Sequence, residues 1–156
     1  MEKLFGTDGI RGTANTYPIT PEIGVQTGRA VADFFGRNGP PSRVIIGKDS
    51  RISGDMLESA LASGVCSAGC NAVLAGIIPT PGVAFLAVSL KSCAGIVVSA
   101  SHNPFFDNGI KIFKGDGYKL SDREEADLER LILDQPDVSN RSTGRVESGN
   151  ISWRSV

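Results

Sequence analysis

A three-layer α/β/α fold, built on a mixed and mostly parallel sheet that ends in an antiparallel strand pair, follows from three observations. Three runs are almost continuously apolar: "RVIIG" (Arg43–Gly47), "AVLAGII" (Ala72–Ile78) and "AGIVVSA" (Ala94–Ala100). Stretches with helical spacing separate them, so the strands are covered on both faces, as in α/β proteins. Few residues connect Ala100 to "NGIKIF", which begins at Asn108. A parallel crossover needs about a dozen residues or more, so Asn108–Phe113 is expected antiparallel to its neighbour.

The chain opens on "FGTDGIRG" (Phe5–Gly12), whose glycines and Asp-Gly step read as a loop. Thr20 as N-cap and Pro21 at the first helical position then start a helix. Ile23, Thr27, Ala30, Val31 and Phe34 share one face of it, and Gly36 or Gly39 can end it. Phe34 and Phe35 are expected in the core. Ser53 is expected to cap a second helix with the stripe Leu57, Leu61, Val65 and Ala68. Thr80-Pro81 opens a short helix through about Val88. "FKGDGYKL" (Phe113–Leu120) reads as a turn, and "SDRE" (Ser121–Glu124) is a capping box leading a stripe of Leu128, Leu131 and Ile132. Residues 1–134 are thus expected to form one domain. Residues 135–156 have no clear period and read as a polar tail, or as the interrupted boundary to a second domain.

Composition narrows the function classes. The 156 residues suit one domain, and 40% hydrophobic content supplies one core. A formal charge of −1 and a pI near 5.8 argue against a nucleic-acid partner. No apolar run is long enough to cross a bilayer and the N-terminus lacks a signal-peptide core, so no membrane association and a cytoplasmic setting are expected. Cys66 and Cys70 are expected on one helix, with Cys93 alone near a strand start. Without a C-x-x-C pair, buried apolar thiols are favoured over a zinc site of three Cys and one His.

Two polar clusters follow predicted strands: "KDSR" (Lys48–Arg51) and "SHN" (Ser101–Asn103). Ligands of open α/β sheets bind beyond the carboxyl ends of the strands, so both clusters are candidates to face one crevice. Ser101 as a nucleophile needs a base or a cation. His102, the only histidine, is adjacent, and a direct Ser-His bond requires the turn that Asn103-Pro104 can supply. Lys111 is expected on the antiparallel strand, within reach of the loop. The alternative is a polar turn whose side chains only satisfy backbone groups. Arg11 and the glycines of "FGTDGIRG" are candidates to hold a phosphate, against a plain terminal turn; the P-loop pattern is absent. Phe105 and Phe106 are expected to pack the loop down.

Taken together, "FGTDGIRG", "IGKDSRISG", "PTPGVAFL", "GIVVSASHNPFFDNGIKIF" and "GYKLS" resemble the N-terminal domain of the α-D-phosphohexomutases. "FGTDGIRG" with "DNGIK" is most similar to the branch acting on glucosamine phosphates. The resemblance implies that Ser101 carries a phosphoryl group, exchanged with glucosamine 6-phosphate through a bisphosphate to give glucosamine 1-phosphate. It also implies catalytic positions at Arg11, His102 and Lys111. Phosphosugar or phosphate contacts are implied at Thr7, Arg11 and Asn103. A Mg²⁺ ion would be bound through the phosphate on Ser101, and the D-G-D-G-D-R-type loop that completes its site in the family has no counterpart here. The chain is therefore expected to be an incomplete first domain, inactive alone, lacking the C-terminal domains of a longer chain and open to self-association through an uncovered face. The alternatives are a domain of the phosphomannomutase/phosphoglucomutase branch and a non-catalytic phosphosugar-binding module. A serine hydrolase is disfavoured because G-x-S-x-G is missing.

Overall fold

A computed structural model describes residues 3–36 and 42–148. The elements in chain order are β1 (Ile10–Thr13), α1 (Pro21–Phe35), β2 (Arg43–Lys48), α2 (Ser53–Ser67), β3 (Asn71–Ile77), α3 (Thr80–Ser89), β4 (Ala94–Val98), β5 (Asp107–Lys114), α4 (Asp122–Asp134) and β6 (Val146–Glu147). They build one sheet in the order β1-β5-β4-β2-β3-β6. The strands β4, β2, β3 and β6 are mutually parallel, whereas β5 is antiparallel to both β4 and β1. The short-connection rule thus places β5 correctly, and the fold class is the expected one.

The pleat sorts the strand residues onto two faces. Val44, Ile46, Ile96, Val98, Ile110 and Ile112 pack with the buried stripes of α1, α2 and α4, including Val31, Leu57, Leu61, Leu128 and Ile132. Ile45, Val73, Val97 and Phe113 face the other way, onto Val83, Leu86 and Ala87 of α3. Three helices cover one face and a single short helix covers the other. That lone helix is apolar on its outer side as well, where Phe85 and Val88 are exposed.

Local signals hold where the partner is close in sequence. The Thr20 side chain accepts from Ile23 N at 3.2 Å, and Gly36 caps the far end of α1; Gly39 lies outside the described residues. At Ser121 both bonds of the capping box form. Phe34 and Phe35 pack edge-to-face on each other and, half-buried, against the core.

Elsewhere the tertiary structure adds to or departs from such signals. Ile10–Thr13, expected in a loop, form β1 because β5 supplies an edge to pair with. Ser53 does not cap α2 but is its first residue; its Oγ accepts from Asn108 Nδ2 at 2.8 Å, and Ile52 occupies the cap position without a side-chain bond. Cys70 lies beyond α2, just before β3, and Cys93 just before β4, at the end of the sheet away from His102. The thiols are free, Cys70 buried and the other two half-buried. Phe105 and Phe106 pack edge-to-face on each other at 5.5 Å but stay 86% and 50% exposed, so they do not clamp the loop to the core. Val146–Glu147, in a stretch without period, pair with β3, and Arg141 bridges to the buried Asp33 at 2.7 Å.

Candidate active site

Because β2 and β4 are parallel neighbours, their carboxyl ends open side by side, where open α/β sheets bind ligands. Asp49 N donates to Val98 O at 3.0 Å, tying the segment after β2 to the segment after β4. Ser101 follows with a φ of 52°, in the left-handed region. A side chain there costs about 1–2 kcal/mol relative to ordinary backbone, so the surroundings must impose it. Two local bonds contribute: Ser101 N donates to Ser99 Oγ at 3.1 Å, and Asn103 N closes a turn onto Ala100 O at 3.0 Å. The hydroxyl of Ser101 is left exposed.

Lys111 stands opposite Val97 on β5, and its Nζ donates to Ser101 Oγ at 3.1 Å. Burial pushes the Lys111 ammonium below its usual range; the Arg11 and Lys119 cations push the same way, and Asp8 opposes them. An amine biased toward neutrality beside a serine oxygen can take the hydroxyl proton, and in its charged form it can stabilise negative charge there.

Arg11 comes from β1, in register with Gly109. Glycine is required at 109 because a Cβ would sit 2.6 Å from Ser99 O and 3.2 Å from Arg11 Cγ. Its absence lets the Arg11 stem cross β5 toward the loop. One terminal nitrogen of Arg11 donates to Asn103 Oδ1 at 3.2 Å, and Asn103 Nδ2 donates to Asp107 Oδ2 at 3.2 Å. The Nε of Arg11 is buried without a hydrogen-bond partner among the described residues, and Asp8 lies 3.9 Å from the guanidinium. Thr7 is exposed and lines a cavity of ≈ 330 Å³ with Asp8, Thr80, Lys111 and Lys119.

The fold therefore brings together two bonded pairs, Lys111 with Ser101 and Arg11 with Asn103, and places Thr7 on the cavity that Lys111 also lines. His102 is separate: its ring is exposed and makes no hydrogen bond among the described residues, so the Ser101 oxygen answers to Lys111. Sequence reasoning passed over the part played by Arg51, which donates to Ser101 O at 2.9 Å and Asn103 O at 3.0 Å. Its place in the "KDSR" cluster was a signal, but not one that named its acceptors.

Comparison with known proteins bears on this arrangement. A sequence family described as phosphoglucomutase/phosphomannomutase, alpha/beta/alpha domain I, matches residues 2–138. The chain belongs to this family. Relatives named phosphoglucosamine mutase from Syntrophus aciditrophicus and Desulforapulum autotrophicum are 60% and 56% identical to it, over 133 and 161 residues. Those matches cover 85% and 97% of this chain but 30% and 35% of the relatives, so the chain spans about a third of their length. Among solved structures, a putative phosphomannomutase from Thermus thermophilus superposes with a TM-score of 0.78 at 27% identity, covering 93% of this chain and 32% of that one. A phosphoglucomutase/phosphomannomutase family protein from Burkholderia thailandensis gives 0.76 at 28% identity, covering 94% of this chain and 32% of that one.

The donors of this phosphohexomutase domain do not by themselves make a Mg²⁺ site. Among the described residues no three His, Cys, Asp or Glu side chains converge to hold a cation. The carboxylates near the loop are engaged otherwise, Asp49 by Arg51 and Asp107 by Asn103. No described helix is long and apolar enough to cross a membrane.

Proposed function

We propose that this domain carries the reacting phosphoryl group of a phosphoglucosamine mutase on Ser101. The observation that carries the reading is the 3.1 Å bond from Lys111 Nζ to the exposed Oγ of a serine in the left-handed conformation. Its position beyond the carboxyl end of β4 supports it further, as do relatives of that name at 52–60% identity.

In the phosphorylated state the Oγ–P bond breaks as the 1-hydroxyl oxygen of glucosamine 6-phosphate bonds to phosphorus. A proton leaves the sugar hydroxyl and one is returned to Ser101 Oγ, for which Lys111 is in place. The bisphosphate reorients. Ser101 Oγ then attacks the phosphorus at position 6, Lys111 accepts the serine proton, and O6 is protonated as it leaves. Transfer of this kind rests on positioning and charge stabilisation. Arg11, with Asn103 holding its guanidinium, is aimed to stabilise the transferring oxygens, and Thr7 borders the space for the sugar. His102 is assigned to the solvent side, next to the phosphoserine. Mg²⁺ enters only as an ion that the phosphate would help bind, with its other ligands outside this chain. A soluble, cytoplasmic enzyme of sugar metabolism fits this reading.

Mass spectrometry of the chain, extended to the length of its relatives, is expected to find one phosphoryl group, on Ser101, and none after Ser101→Ala. Phosphate on a different residue overturns the assignment. The 156-residue chain alone is expected to show negligible turnover of glucosamine 6-phosphate; robust turnover sinks the claim that it is incomplete.

A further inference from the structure

We infer that Arg51 is the positioning residue that templates the Ser101 loop, fixing both the backbone of Ser101 and the direction of its hydroxyl. A guanidinium has five N–H donors in a rigid planar fork, and every one of them is used here. Nε donates to Asp49 Oδ2 at 3.0 Å. One terminal nitrogen donates to Pro104 O and, at 3.1 Å, to Asp107 O. The other donates to Ser101 O at 2.9 Å and Asn103 O at 3.0 Å. Carbonyls from both ends of a single loop thus converge on one side chain that is only 11% exposed. Asp49 anchors the fork from behind, since its Oδ1 accepts from Arg51 N at 3.1 Å while Oδ2 takes Nε. The neighbouring cation Lys48 cannot substitute, being paired with Asp55 at 2.7 Å and Glu58 at 3.0 Å.

The consequence falls on Ser101. Its carbonyl and that of Asn103 share one nitrogen, which holds the peptide groups on either side of the His102-Asn103 pair in a fixed relation. The left-handed backbone at Ser101 is then the conformation in which Arg51 reaches the Ser101 carbonyl while Oγ accepts from Lys111. A lysine at position 51 would offer a point charge and could not span these acceptors. The catalytic meaning rests on the proposed phosphoryl role of Ser101; the geometry is measurable without it.

Hydrogen exchange on the full chain tests the inference in the wild type, Arg51→Lys and Arg51→Met. The Asn103 and Asp107 amides, which close the loop onto Ala100 O and Pro104 O, are the reporters. The Val97 and Phe113 amides, which face each other's strands across the β4–β5 ladder, are the controls. The reporters should exchange roughly a hundredfold faster in both variants while the controls change less than about threefold, with no rescue by lysine. Retained loop protection in Arg51→Lys, or equal acceleration of reporters and controls, overturns it. Should the variants not fold, the wild type decides: NMR of the Arg51 guanidinium is expected to show separate, slowly exchanging terminal N–H resonances, and a single averaged signal refutes the template. Phosphate occupancy of Ser101 in Arg51→Lys is read in parallel. If Ser101 carries no phosphate even in the wild type, the functional reading fails and the exchange data still judge Arg51.

Discussion

Two connections flank β5, and they reverse the chain by opposite means. The turn after it, Gly115–Leu120, places Gly117 at a φ of 84° and is closed by its own backbone, with Gly117 N on Lys114 O and Lys114 N on Tyr118 O, both at 2.9 Å. The loop before it puts a serine in the left-handed region and is held by Arg51 from β2's end and by Arg11 from β1. Glycine adopts that conformation without steric penalty, so the Gly115–Leu120 turn needs no outside help. The serine loop does need it. A strained backbone kept in place by charged partners from distant elements is what the role proposed for the Ser101 hydroxyl requires.

The largest effect that could break this contrast is expected at Lys111. Lys111→Met should slow phosphoryl exchange at Ser101 by about 10²–10⁴-fold, the usual worth of a positioned acid–base group. Its pH dependence has a defined sign. Because Lys111 is pushed below the 10.5 of a free lysine, the rate of phosphoryl acceptance by Ser101 should rise with pH and level off earlier than an ordinary lysine would allow. Lys111→Met should lose that limb. In the same window the unfolded chain holds the proton more tightly, so stability should also rise with pH. A pH–rate profile of Ser101 phosphorylation and urea unfolding across pH check the two statements.

A smaller effect is expected at Gly117. Alanine there would take a positive φ and bring its Cβ 3.1 Å from Val88 Cγ2. The cost should be about 1–2 kcal/mol in urea unfolding, with Ser101 phosphorylation unchanged. A loss of phosphorylation would show that the two connections are not independent. The smallest effect compares two substitutions of the serine itself. Ser101→Gly should be more stable than Ser101→Ala by about 1 kcal/mol, because only glycine relieves the left-handed backbone. Equal stabilities would mean that position 101 is not strained, and the contrast would lose its basis.

The legibility of this chain follows the range of its interactions. Helix starts at Thr20 and Ser121 were readable because cap and amide lie three residues apart. The antiparallel β5 was readable because a connection length excludes a crossover, and that in turn brought Lys111 toward Ser101. The loop motif carried the family resemblance. By contrast, Ser53 looks like a cap until Asn108 claims its hydroxyl, and Ile10–Thr13 look like a loop until β5 offers an edge. Phe105 and Phe106 look like loop anchors, yet they remain in solvent.

By itself the sequence determined the layers, the direction of the central strands and the family of the chain, because apolar periodicity, connection length and a contiguous motif are properties of neighbouring residues. Only the tertiary structure decided which side chain meets the Ser101 oxygen, Lys111 and not the adjacent His102, and which residue bonds the carbonyls of its loop. Those answers depend on a sheet register and on one guanidinium reaching carbonyls some fifty positions away, distances along the chain over which no local pattern carries information.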